Sequence, residues 1–235
     1  MSGHSKWAKL KHTKGALDTK RGNVFTKLCR AIMVCARQGG SDPLFNFALR
    51  LAIDKARAFN VPKDNIDKAI KRGTGELKDG VIIEEALYEG FGPGGSAFLI
   101  ECATDNKNRT LGELKTTLSK NGGSLAGQGA VKWQFEHKGV IRVPSISEDL
   151  ELRLIDAGAE DIAMRNGVAE VTCQVSQFQK VMEVFAARQI EPTSSGLEWM
   201  PKETVMLTPE DQEKLAHLFG LIEKNDDVQE IYANV

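Results

Sequence analysis

Cationic side chains crowd one end of the sequence. Lys6, Lys9, Lys11, Lys14, Lys20 and Arg21 stand against a single acid, Asp18, with Trp7 and His12 among them. The chemistry open to such a set is recognition of a polyanion. Ammonium groups neutralise phosphates and release their counterions, and a guanidinium can fork onto a phosphate or a guanine edge. Trp7 can stack on an unpaired base, and His12 can stack or donate a hydrogen bond. The segment has no apolar run, so it builds no core.

The imbalance extends beyond this tail. Residues 1–73 hold 10 Lys and 6 Arg against five Asp, whereas the remaining 162 residues hold 15 basic and 27 acidic side chains. A net charge of −1 therefore conceals a cationic front and an anionic back. Such asymmetry points to a polyanionic partner for the front. Lys27 and Arg30 continue the basic set, and Lys63, Lys71 and Arg72 support it. The acidic portion limits indiscriminate binding and offers a surface to a protein partner.

Other chemistries find little footing. The four cysteines show no C-x-x-C pair and no His at ligand spacing, so no metal and no cofactor are expected. His137 and His217 are solitary, and no Ser or Cys has a nucleophile's local signature. Glu89 and Glu101 could approach on adjacent strands as an acid/base pair, but surface cross-strand acids are the simpler account. The run GFGPGGS (90–96) lacks the G-K-[ST] ending of a phosphate loop and reads as a hairpin turn. In TDNKNRT (104–110), Thr104 or Asp105 is suited to cap a helix, with Arg109 placed to hold a charged partner. No run approaches the roughly 18–20 apolar residues of a membrane span, and the basic start lacks the apolar segment of a secretory signal. The expectation is a cytoplasmic, non-enzymatic protein with no membrane partner and no small-molecule substrate.

The elements that must hold these residues follow from periodicity. A basic tail, 1–22, leads into a helical domain, 23–75, with helices over 23–37, after Pro43, and over 63–72. On the first helix Val24, Leu28, Ile32 and Cys35 share a face, while Val34 falls among basic residues. Strands over 84–90 and 96–104, a helix over 105–120 and a strand over 130–135 then open an α+β domain. Residues 138–200 read as β-α-β-β-α-β, the order of ferredoxin-like domains. The helix and strand within 203–235 cannot form a domain alone, so they are expected to complete the first sheet. The fold class predicted is α+β multidomain: a three-helix domain, then a discontinuous α+β domain (80–136 plus 203–235) with a ferredoxin-like α+β domain (138–200) inserted.

Five stretches carry a family resemblance: GHSKWAKLKH, KRGNVFTKL (20–28), VPKDNIDKAIKRGTG (61–75), YEGFGPGG (88–95) and TDNKNRT. In these the chain resembles the YebC family, also called the PmpR or TACO family. That resemblance implies a helical N-terminal domain followed by two α+β domains, one inserted in the other. It also implies a transcriptional regulator binding promoter DNA. Mitochondrial relatives are translational activators, and some bacterial members are linked to ribosomes and to translation of proline-rich stretches. Five positions, at three places, depart from the family pattern: Lys9-Leu10 stands for Asn-Ile, Thr13 for Arg, and Phe47-Ala48 for Pro-Arg. The function expected is thus a DNA-binding transcriptional regulator acting through the basic tail and helical domain. A ribosomal-RNA-associated translation factor is the alternative, and a protein-interaction scaffold the outsider.

Overall fold

In the computed structural model, residues 19–77, 82–165 and 167–235 are described. Helix α1 (Thr19–Gly39) begins four residues before the predicted start at Asn23. Gly22 does not break it, because one helical glycine costs only about 1 kcal/mol. Helices α2 (Phe47–Ala58) and α3 (Lys63–Gly73) pack on α1. Their shared core includes Leu28, Ile32, Leu49, Ile53, Ile66 and Ala69. Val34 is buried as well, contrary to its place in the single-stripe reading. The reason is that α1 is covered on two sides, by its sister helices and by the sheet that follows; Ile83 and Ala103 belong to the same core.

Two contacts fix the bundle. Asn46 caps α2 through the amide N–H of Leu49 and donates from Nδ2 to the carbonyls of Cys35 (2.7 Å) and Gly40 (2.8 Å). Gly73 lies where α3 meets α1, and a Cβ there would stand 2.4 Å from the Met33 carbonyl oxygen.

Strands β1 (Glu84–Phe91) and β2 (Ala97–Thr104) form an antiparallel hairpin. Its turn needs positive φ at Gly94 and Gly95, which explains the glycine run without any phosphate. Helix α4 (Lys107–Lys120) follows, capped by Asn106 rather than by Thr104 or Asp105. The next strand is β3 (Ser124–Leu125), only two residues long, paired with β1. The strand predicted over 130–135 is absent: Lys132–Gln134 is a short 3-10 turn, and β4 (Phe135–Val143) starts at its end. The Glu89 carboxylate draws in the N–H groups of Val131 and Lys132 and bends the chain there.

Beyond β4 come α5 (Glu148–Asp156), β5 (Ala159–Arg165), β6 (Val168–Gln174), α6 (Phe178–Ala187) and β7 (Ser194–Pro201). They form an antiparallel sheet ordered β5-β6-β4-β7, the split β-α-β arrangement, with α5 and α6 over its core. Helix α7 (Pro209–Ile222) and strand β8 (Val228–Ala233) end the fold. Strand β8 pairs with β2, giving the other sheet the order β3-β1-β2-β8. Helices α4 and α7 supply Leu114, Leu118, Leu218 and Phe219 to the core on one of its faces.

Candidate nucleic-acid interface

The predicted basic set divides along the chain. Lys6, Trp7, Lys9, Lys11, His12 and Lys14 lie outside the described residues. Lys20 and Arg21 fall in the opening turns of α1, where the first turn carries no acid. Lys63 and Lys71 are exposed at the two ends of α3, with exposed Lys68 between them. Arg72 is half-buried and lies near Cys29 of α1. Burial raises the Cys29 thiol pKa, and the Arg72 charge partly offsets that rise.

Lys27 and Arg30 are turned elsewhere. One helical turn apart on α1, they face the α+β portion. Lys27 Nζ donates to the carbonyl of Glu223 (2.7 Å), the residue that ends α7. A cation there complements the negative end of the helix dipole. Arg30 donates to the carbonyl of Ala103 (3.2 Å) and pairs with Asp227. Arg37, further along α1, donates to the Ile83 carbonyl (3.4 Å) and faces Glu84 (3.8 Å). These three side chains fasten α1 to the α+β portion rather than joining Lys63 and Lys71.

Asp227 is the centre that the sequence did not disclose. Its side chain is 3% exposed and pairs with Arg30 and with Arg109 (2.9 Å). It also accepts from the hydroxyls of Thr110 (2.6 Å) and Thr104 (3.0 Å). Burial would raise its pKa, but donors from Thr110, Arg109, Arg30 and Thr104 together hold it down at about 2. The polar crowd TDNKNRT is therefore half of a cross-chain network. No local pattern could have found the other half: 117 positions separate Thr110 from Asp227.

Glu89 and Glu101 are not directly opposite each other; they lie diagonally on one face of the hairpin. In the β1–β2 register Glu89 faces Leu99, and Glu101 faces Leu87. Glu89 is buried and accepts from the amides of Gly129 (2.5 Å), Val131 (2.6 Å) and Lys132 (2.8 Å). Burial opposes its ionisation, yet these three amides leave its pKa lowered. Glu101 lies between the two sheets and accepts from Trp199 Nε1 (2.7 Å) and the Tyr232 hydroxyl (3.3 Å). Each carboxylate is occupied in holding structure.

Among the described residues no group of three His, Cys, Asp or Glu side chains could hold a metal ion, and no helix is long and apolar enough to cross a membrane. The domain models of one family account for nearly all of this architecture. The TACO1/YebC N-terminal domain matches residues 5–76, and the TACO1/YebC second and third domain matches residues 83–235. The chain belongs to the YebC/TACO1 family. A YebC-family relative from Caldanaerobacter subterraneus subsp. tengcongensis, named "probable transcriptional regulatory protein", is 47% identical over all of this chain and 98% of its own length. One of the same description from Pseudothermotoga lettingae is 48% identical over all of this chain and 93% of its own. The crystal structure of a conserved hypothetical protein from Aquifex aeolicus superposes with a TM-score of 0.86 at 39% identity, covering 97% of this chain and 95% of that one. The YebC-family models thus span both the basic helical unit and the acidic sheets.

Proposed function

We propose that this chain is a nucleic-acid-binding regulator, specifically a DNA-binding transcriptional regulator that works without catalysis in the cytoplasm. The observation that carries the reading is the segregation of charge: sixteen cations against five acids in residues 1–73. The names of its relatives agree with it. In this reading the tail, 1–22, and the helical domain, 23–75, hold phosphate. The discontinuous α+β domain (80–136 with 203–235) and the inserted one (138–200) carry the acidic balance and a surface for a protein partner.

Within the basic set the roles differ. Lys6, Lys9, Lys11, Lys14, Lys20 and Arg21 supply the contacts, with Trp7 and His12 stacking or donating, and Lys63 and Lys71 extend the surface. Lys27 and Arg30 serve it indirectly, by fixing α1 against the sheet so that its first turns project in one direction.

Crosslinking in intact cells, followed by sequencing of the attached nucleic acid, tests the reading. Discrete genomic segments, lost in a Lys6/Lys9/Lys11→Glu variant, are expected. Reads on ribosomal RNA would replace promoter binding with a role in translation. In vitro, six or more phosphate contacts cost roughly 10³-fold or more in affinity between about 50 and 200 mM salt. A scaffold with a merely solubilising tail has no such affinity to lose.

A further inference from the structure

A second acid-free tract lies far from the tail. Between Glu113 and Glu136 the sequence runs for 22 residues with Lys115, Lys120 and Lys132 and no Asp or Glu, inside the portion of the chain that is otherwise acidic. The three lysines are exposed. Glu89 reaches this tract from outside, and it is buried beneath the loop with its carboxylate facing the amides of Gly129, Val131 and Lys132.

That arrangement makes a rigid platform. Glu89 grips the loop from below, Val131 is fully buried, and Phe135 anchors the far end at 4% exposure. Between these anchors Trp133 stands 66% exposed. Its indole N–H is already spent on the Ala130 carbonyl (3.0 Å). The chain leading to it, Gly127-Gln128-Gly129-Ala130, is exposed and bears no bulky or anionic side chain. The loop amides are turned inward, so the loop does not present them to an anion. What it offers outward is an exposed aromatic surface on a tract free of acids, while the Lys132 ammonium lies 5.0 Å from the Trp199 ring.

We infer that Trp133 and its loop form a second contact site, at which the indole stacks on an unpaired nucleobase of the bound nucleic acid. This rests on the nucleic-acid reading above and adds to it a preference for strands that carry unstacked bases. Stacking suits the site because it needs an exposed π face and no free donor. The loop's rigidity lowers the ordering cost of holding the ring in place.

The test compares wild type, Trp133→Ala and Trp133→Phe on three probes: a blunt duplex, a hairpin with a single-stranded loop, and the same hairpin with abasic loop positions. Trp133→Ala should weaken hairpin binding roughly 5- to 100-fold, the range for one lost base–aromatic stack. It should leave the blunt duplex and the abasic hairpin unchanged, and Trp133→Phe should retain most of the affinity. Hairpin binding by Trp133→Ala equal to wild type would overturn the proposal alone. So would an equal deficit on the abasic hairpin, since the ring would then touch something other than a base. No affinity of the wild-type chain for any probe would overturn the nucleic-acid reading itself.

Discussion

At the junction of α1 with the first sheet, Asp227 meets two guanidinium groups and two hydroxyls. At the junction of the two sheets, Glu101 meets an indole N–H and a phenol, with Glu230 and Glu85 adding negative charge nearby. Burial works against ionisation at both. Four donors, two of them cations, overcome it at Asp227. Two neutral donors do not at Glu101, whose pKa is pushed up to about 7. One seam is therefore held by a fixed charge, whereas the other changes charge near neutral pH. Around Glu101, Trp199 also stacks on His137 (4.6 Å) and has Lys132 Nζ 5.0 Å from its ring.

The sharpest break in this contrast is Asp227→Ala, which leaves Arg30 and Arg109 without their shared acid. Loss of about 3 kcal/mol is expected in urea denaturation, whereas Asp226→Ala, at an exposed neighbour, should stay within about 0.5 kcal/mol. Gly73→Ala strikes the helical bundle and spares both seams. Its new Cβ meets the Met33 carbonyl and should cost about 1–3 kcal/mol in thermal melting.

The pH dependence separates the two acids directly. Asp227 has a folded pKa below its ordinary 3.8, so its contribution is present above about pH 4 and lost as pH falls towards 2. Glu101 lies above its ordinary 4.5. Its ionisation is disfavoured in the folded state, so stability declines as pH rises from about 4.5 and levels off above about 7. Glu101→Gln should flatten that decline, by on the order of 1–2 kcal/mol across a pH series of denaturation curves. At this seam a smaller effect, about 1 kcal/mol, is expected from Trp199→Phe. That variant removes one donor to the charged form, so the midpoint of the same decline should move to higher pH.

Much of the fold was legible because periodicity is local. Leu28 and Ile32, and the alternating register of β1 and β2, announce their elements within a few residues. Val34 misled because a helix packed on two sides does not show a single stripe. The segment 130–135 misled because its β-like composition is overruled by a buried carboxylate 40 or more positions away. The basic front was legible as composition, yet not the separate duties of Lys27 and Arg30, whose partners lie across the whole chain. Phe47, one of the departures from the family pattern, has a packing role here: its ring meets Phe178 edge-on at 5.6 Å, and Arg50 lies over it. Trp133 was visible as a residue but not as an exposed one, since exposure depended on the turn that Glu89 imposes.

Arg30 and Asp227 are 197 positions apart. At about 5–20 residues per second, a ribosome takes roughly 10–40 s to travel from one to the other. During that interval the helical unit is made and has most of its own core, but its fastening to the sheet does not yet exist. The insertion β4–β7, with its own sheet, is complete before β8 arrives. The seam around Asp227 is thus among the last contacts that synthesis makes possible. A nascent or truncated chain carries the cationic front without the fixed orientation that the finished molecule gives it.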